Sequence, residues 1–251
     1  MKLNYAIKEI TKDEALSMVK KYHYSNTLPK LNKHFIGFYL DDELVGVVTL
    51  GWGTRPVHTI QCLFPSLGTQ DYYEIGRMCM TDDMPCGSES QMLKALYKWI
   101  KQNCPNIKVL FTWADGMLGK PGYVYQASGF YYAGFIWTDT YFLNGTKIHP
   151  RQFRAFITKY EDDKRRYIRP TDEQMKKYHI DHYRGKQFKY VRFLCGKVEK
   201  RKLLRESTID LSLPNPKDKD LQWKHKDLST GKWFFSEKPC YITDFDNTLI
   251  E

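Results

Sequence analysis

Between Tyr72 and Gly134 the chain carries one continuous pattern that a sheet with helices packed on it satisfies. Residues 73–80 alternate as a strand, with Glu74, Gly76, Met78 and Met80 on one face and Ile75, Arg77 and Cys79 on the other. Pro85-Cys86-Gly87 makes a turn, and Ser88-Glu89-Ser90-Gln91 reads as a capping box. It opens a helix in which Leu93, Leu96, Tyr97 and Ile100 recur at helical spacing. Residues 107–113 are apolar enough for a buried strand, and Asp115 falls just beyond its carboxyl end, where catalytic groups of open α/β sheets gather. Residues 122–128 predict a short helix closed by Gly129, followed by strands over 130–137 and 140–143 and a turn at Asn144-Gly145.

The flanks extend the same architecture. Residues 5–10 suit a first strand, and Thr11-Lys12-Asp13-Glu14 is a capping box for a helix with Ala15, Met18, Val19 and Tyr22 on one face. Tyr22-His23-Tyr24-Ser25-Asn26-Thr27-Leu28-Pro29 breaks that helix, leaving His23 and Tyr24 at its end or in a loop. Residues 34–40 and 44–52 form a hairpin across 41–43. After Pro150 a helix is expected over 171–183, a strand over 188–195 and a basic helix over 197–205. The last 46 residues, with Pro214, Pro216 and Pro239, read as a loosely structured extension. The expected organisation is a catalytic core over 1–150, a basic nucleic-acid-binding extension over 151–205 and a tail over 206–251. With 251 residues, 42% of them hydrophobic, the chain can build a substantial core.

Charge narrows the partners. The formal net charge is +10, yet residues 147–205 hold 19 Lys/Arg against 7 Asp/Glu, a local balance of +12. A block that exceeds the charge of the whole molecule points to a polyanion such as nucleic acid, with a basic face kept for solubility as the plainer reading. The six cysteines show no CxxC and no metal-type spacing, so they read as reduced thiols. No signal region and no run of roughly 20 apolar residues occurs, so a cytoplasmic protein without membrane contact is expected.

The order of these elements resembles the GNAT acyltransferase fold. There an acyl donor's pyrophosphate rests on backbone N–H groups between the central strand and the next helix, here residues 84–90. Tyr125-Gln126-Ala127-Ser128-Gly129-Phe130 resembles that fold's fourth-helix signature, whose tyrosine protonates the departing group. A finer resemblance is to the Mom family of bacteriophage DNA-modification proteins. It is carried by Tyr22-His23-Tyr24-Ser25 with Pro29, Gly76-Arg77-Met78, Ser88-Glu89-Ser90, Trp113-Ala114-Asp115 and Gly122-Tyr123-Val124-Tyr125-Gln126-Ala127. Gly145-Thr146-Lys147-Ile148-His149-Pro150-Arg151 and Lys189-Tyr190-Val191-Arg192-Phe193-Leu194 complete it, over about residues 10–205. The resemblance implies an α/β, acyltransferase-like enzyme that converts adenine in double-stranded DNA to N6-(carbamoylmethyl)adenine and shields it from restriction. The basic block, with Lys147, His149, Arg151, Lys189 and Arg192, then meets DNA.

The chemistry assigns the remaining candidates. Adenine N6 is a weak nucleophile whose lone pair is delocalised into the ring, and in a duplex it is paired, so base flipping is expected. Tyr24, Trp52 and Tyr123 offer aromatic walls for the extruded base. Asp115 can orient the amine or take its proton, or simply cap Gly116-Met117. His23 can act as base or gate, or only cap its helix. Arg77, Ser88 and Ser90 are candidates for holding the donor, with a salt bridge for Arg77 and an N-cap for Ser88 as the structural alternatives. Tyr125 is the candidate acid, with core packing as its alternative. Glycyl-tRNA fits the atom count of the added group, and acetyl-CoA fits the fold. His23 and Asp115 leave room for iron or another metal. The competing function class is an acyltransferase acting on tRNA or protein, or a non-catalytic basic nucleic-acid-binding protein.

Overall fold

The computed structural model describes residues 2–53, 55–148, 153 and 169–240. The chain divides into two compact units, one of Met1–Ala114, Gly122–Gly134 and Phe188–Asn215, the other of Asp115–Pro121, Phe135–Gln187 and Pro216–Glu251.

The first unit is built on β1 (Ala6–Glu9), β2 (Asn32–Leu40), β3 (Glu43–Gly51), β4 (Tyr72–Met80) and β5 (Val109–Asp115). Beside β5 lie the end of β8 (Ile180–Phe193) and the start of β6 (Tyr131–Leu143), giving the order β1-β2-β3-β4-β5-β8-β6. Pairing is antiparallel from β1 to β4 and parallel between β4 and β5. Helices α1 (Lys12–Tyr22), α2 (Ile60–Leu63), α3 (Ser88–Asn103), α4 (Tyr123–Ala127) and, after Phe193, a helix over Lys197–Glu206 complete it. The mixed sheet with helices is that of the α/β fold expected from the sequence, and the order of elements from β1 to α4 is the expected one except for α2, which has no counterpart among the elements expected from the sequence.

Local chemistry explains the starts. α1 opens with the expected capping box: the Glu14 N–H donates to Thr11 Oγ1 (3.2 Å) and the Thr11 N–H donates to Glu14 Oε2 (2.8 Å). Its buried Ala15 and Val19 pack with Val47 and Cys79. A second cluster gathers Ile60, Phe64, Tyr72, Val109, Phe111, Val191, Phe193 and Leu203. The capping box expected at Ser88 does not form. Gly87 occupies the N-cap at φ 85, Ser88 Oγ donates to the Pro85 carbonyl (2.6 Å), and Gln91 Oε1 accepts from the Leu3 N–H (2.8 Å). The side chains that would close the box are engaged elsewhere.

The second unit contains the rest of β6 and β8 with β7 (Thr146–Ile148), β9 (Trp223–Lys226) and β10 (Trp233–Ser236), in the order β7-β6-β8-β9-β10. Asn144 (φ 50) and Gly145 (φ 79) make the expected turn into β7. The two strands expected over 130–143 are one, and the helix expected over 171–183 is shorter. α5 (Asp172–Lys177) stops before His179, at φ 54, and the chain then runs straight into β8. Residues 223–236 also differ from the loose extension expected of the tail. Trp-Lys-His-Lys and Trp-Phe-Phe-Ser pair as a hairpin whose turn is held by Asp227, which accepts from the Ser229 N–H (2.7 Å) and Thr230 Oγ1 (2.8 Å). β9 adds antiparallel to β8. No helix among the described residues is long and apolar enough to cross a membrane.

Candidate active site

A β-bulge organises the first unit's candidate site. Thr49 pairs with Arg77 while Leu50 pairs with Ile75, so Gly76 is the extra residue. This corrects the simple alternation read from the sequence: past the bulge Arg77 and Cys79 lie on the face of Thr49 and Val47, which Glu74, paired with Gly51, also shares. A Cβ on Gly76 would lie 2.7 Å from Pro29 Cγ and 3.0 Å from Thr49 Oγ1, so only glycine lets the loop after α1 approach this closely. The parallel ladder of β4 with β5 ends at the Glu74–Phe111 pair, just before the bulge.

Arg77 uses its guanidinium on that loop. Nε donates to the Thr27 carbonyl (2.9 Å), one terminal nitrogen to Ser25 Oγ (2.9 Å) and the other to the Gly76 carbonyl (2.8 Å). The loop carries His23 and Tyr24, whose rings stack at 4.2 Å, with Tyr24 half-exposed. His23 Nδ1 lies 2.9 Å from the Ser25 N–H and 3.1 Å from the Ser25 carbonyl. It therefore has a backbone partner whether it accepts in the neutral ring or donates in the protonated one.

Glu74 is the residue that sequence reasoning missed. Burial pushes its carboxyl up to about 7, with Arg77 pulling in the opposite direction. Gly53, at φ 68, lies against its Oε2, where any Cβ would collide. Among the described residues the Glu74 carboxyl group has no hydrogen-bond or ion-pair partner. The signal was present, because a glycine inside a strand next to an arginine marks a bulge that turns neighbouring charges to one face.

Tyr125 is buried in the middle of α4, its ring against Phe130 (5.4 Å) and Tyr190 (5.5 Å). Burial raises its phenol pKa, against the opposing effect of a hydrogen bond with the Thr112 side chain. Thr112 Oγ1 donates to the carbonyl of Ile75, the residue before the bulge (3.4 Å). Gly122 is required here, since a Cβ would meet the Tyr190 ring at 2.5 Å.

The other candidates divide. Ser88 is buried with its hydroxyl engaged by Pro85, and Ser90 is half-buried in the first turn of α3. The Trp52 indole donates to the Thr69 carbonyl (2.7 Å), which ties its ring down, whereas Tyr123 is 45% exposed. Asp115, in the second unit, accepts the Met117 N–H at Oδ1 (3.0 Å) and so caps the turn Gly116–Leu118. Lys147 is exposed on β7, and burial lowers the pKa of Lys189. Arg192 folds inward, donating to the Gly129 carbonyl (2.5 Å) with its guanidinium 5.0 Å from the Tyr97 ring centre. His149 and Arg151 lie outside the described residues. Among the described residues no group of three or more His, Cys, Asp or Glu side chains is arranged to hold a metal ion, so the donor set lends the iron expectation no support.

The structure thus brings His23, Tyr24 and Arg77 together with Ser25, Thr27 and Glu74, and packs Tyr125 against Phe130 and Tyr190. Solved structures to which the chain has low similarity include three acetyltransferases. They are a Bacillus subtilis acetyltransferase in complex with CoA (15% identity, TM-score 0.41, covering 76% of this chain and 100% of that one), a putative phosphinothricin N-acetyltransferase (10%, 0.42, 77% and 100%) and an N-acetyltransferase from Staphylococcus aureus Mu50 (13%, 0.40, 76% and 99%). In sequence, the chain is 28% identical over 187 residues to the methylcarbamoylase mom of Escherichia phage Mu, covering 74% of each. The sequence model of the Mom protein family matches residues 4–209, most of the chain, and the chain belongs to that family.

Proposed function

We propose that the chain is a transferase that modifies adenine in DNA to N6-(carbamoylmethyl)adenine, protecting that DNA from restriction endonucleases. The observation that carries this reading is the Mom family match over residues 4–209, and the similarity to a methylcarbamoylase supports it. The bulge site supports an acyl-transfer step. Adenine N6 becomes acidic only as its nitrogen bonds to the acyl carbon, and a carboxylate with a pKa of about 7 is suited to take that proton near neutrality. Glu74 is proposed for this part. Tyr125, kept protonated by burial, hands a proton to the departing group of the donor.

Arg77 is a positioning residue: it fixes the loop that presents His23 and the Tyr24 ring to the flipped base. Tyr123 offers a second exposed ring. The first-turn amides of α3 and the Ser90 hydroxyl are proposed to hold the donor's anionic part, with Arg77 and Ser88 acting from behind as supports. One oxygen of Asp115 caps its turn, and the other is proposed to orient an amine. Lys147, His149, Arg151 and Lys189 remain proposed contacts to the DNA backbone.

The added group contains two carbons, one nitrogen and one oxygen, the heavy atoms of a glycyl unit. We therefore propose an activated glycyl ester, such as glycyl-tRNA, over acetyl-CoA, whose acyl group lacks the nitrogen. N6 displaces the ester oxygen to give a glycyl amide. The glycyl amine then adds to C6, the original C6–N6 bond breaks, and N6 leaves as the nitrogen of the terminal carboxamide.

Plasmid from cells expressing the chain should resist endonucleases whose sites contain adenine and yield a deoxyadenosine heavier by C2H3NO. Unmodified DNA from cells holding the folded chain would refute the reading. Labelled glycine should enter the product; label from acetate without label from glycine would refute the glycyl donor.

A further inference from the structure

One face of the second unit's sheet alternates rings and cations. β6 presents Phe135 and Trp137, β8 Arg184 and Lys186, β9 Lys224, and β10 Trp233 and Phe235. The register places Arg184 opposite Lys224 and Lys224 opposite Phe235, so these side chains share a face. Lys224 Nζ lies 4.5 Å from the Trp137 ring centre and 4.8 Å from that of Phe235. Lys186 Nζ lies 4.7 Å from the Phe135 ring centre, and Phe135 meets Trp137 edge-on at 6.0 Å. Phe135 is 41% and Phe235 69% exposed.

The cations on this face fall into two sets. Arg184 is committed to Asp139 (2.6 Å), and Lys226, next along β9, to Asp172 (2.5 Å). Among the described residues neither Lys186 nor Lys224 has a carboxylate partner; Lys186 Nζ donates to the Asp220 carbonyl (3.0 Å). Two large exposed rings beside ammonium groups that no carboxylate pairs among the described residues suit a partner that carries flat π faces and a regular series of anions. A nucleic-acid strand supplies both. An intact duplex hides its base faces, and inserting a ring between its base steps costs about a few kcal/mol of unstacking, so these rings stack most readily on unpaired bases.

We propose that this face binds an unpaired segment of DNA, with Phe135, Trp137 and Phe235 stacking on bases and Lys186 and Lys224 meeting phosphates. Extracting adenine from a duplex creates such a segment. The choice of DNA rests on the adenine-modification reading; the stacking surface does not.

The test uses the full chain and fluorescein-labelled 15-nucleotide single-stranded DNA, the matching duplex and the matching RNA, read by fluorescence anisotropy. Replacing Phe135 and Phe235 together by Ala should weaken single-stranded DNA binding about a hundredfold, because each stacked ring contributes roughly a factor of ten. Duplex binding should change less than threefold, and the double Tyr replacement should retain affinity. Lys186→Ala with Lys224→Ala should flatten the slope of log affinity against log salt by about 1.4. Single-strand affinity unchanged in the double Ala variant, an equal loss on duplex, or tighter binding of RNA than of DNA would each overturn the proposal. If the double Ala variant does not fold by thermal melting, Lys224→Glu serves in its place: lost single-strand affinity supports the surface and unchanged affinity overturns it. Modified plasmid together with unchanged single-strand binding refutes this surface and leaves the adenine reading intact. Unmodified plasmid together with lost single-strand binding does the reverse.

Discussion

Glu74→Gln separates a titrating carboxylate from a merely packed one. The side chain is held at about 7, against an ordinary 4.5, chiefly by burial. A raised carboxyl pKa means that ionisation is costlier in the folded than in the unfolded chain. Below pH 4.5 both states are protonated and nothing is lost. Between 4.5 and 7 the unfolded chain ionises while Glu74 in the folded chain keeps its proton, so stability falls as pH rises. Above 7 the loss is complete and amounts to about 3 kcal/mol, at 1.36 kcal/mol for each pKa unit. Gln has no such loss. Urea unfolding at steps from pH 4 to 8 should find the two proteins similar at pH 4 and the Gln variant more stable by up to about 3 kcal/mol at pH 8. Activity should run the other way: DNA modification by the natural chain should rise about tenfold per pH unit up to 7 and then level, while the Gln variant stays low throughout. A stability difference that is flat with pH, or that grows toward acid, would refute the assignment of this carboxyl. Full modification by the Gln variant would refute its catalytic part.

Gly76→Ala should cost about 1–3 kcal/mol and strongly reduce modification, because its methyl meets the Pro29 ring at the bulge; urea unfolding beside a plasmid-protection assay checks both. Tyr125→Phe keeps the ring packed, so it should cost only about 1 kcal/mol while lowering the modification rate a hundredfold or more; Asp115→Asn, which preserves the cap through Oδ1, should likewise lose modification with an unchanged melting curve. In the second unit, burial pushes Asp139 up but hydrogen bonds from His182 and Arg184 prevail and hold it at about 2. Its stabilisation is therefore present above the ordinary 3.8 and lost as pH falls toward 2; after solvent screening, Asp139→Asn should cost about 1–2 kcal/mol at pH 7, and urea unfolding across pH should find the difference vanishing in acid. Arg192→Ala should lower stability by about 1–3 kcal/mol without changing the salt slope of DNA binding, which salt-series anisotropy would detect.

The elements legible in the sequence are those set by local signals. The Thr11–Glu14 box, the Asn144-Gly145 turn and the helical spacing of Leu93, Leu96 and Ile100 each specify their own geometry within a few residues. Sequence and structure part where a distant partner decides. Gln91 completes no cap because the Leu3 N–H takes its oxygen, a contact 88 residues away in sequence. Arg77 changes face because one unpaired glycine in β4 shifts its register against β3, and strict alternation has no means of anticipating that. Prolines and charges surround Trp223 to Ser236 and give them an unstructured look, yet their own alternation suffices once β8 offers an edge. The candidate site is half-legible for the same reason. His23, Tyr24 and Arg77 stand in compact motifs, whereas Glu74 acquires its character only when Gly53 and the bulge bury it.

Charge counted along a sequence is also not charge presented at a surface. The basic block over 147–205 looks like one polyanion face, but its members have separate occupations. Arg184 and Arg169 converge on Asp139, and Arg192 closes onto Gly129. Among the described residues, the second unit's Lys186 belongs to the block, whereas its companion Lys224 comes from the tail that the count excludes. A partner surface is therefore found by asking which cations lack a carboxylate partner among the described residues and what lies beside them. For Lys186 and Lys224 the neighbours are Phe135, Trp137 and Phe235, so the chemistry offered is stacking joined to phosphate binding rather than charge alone.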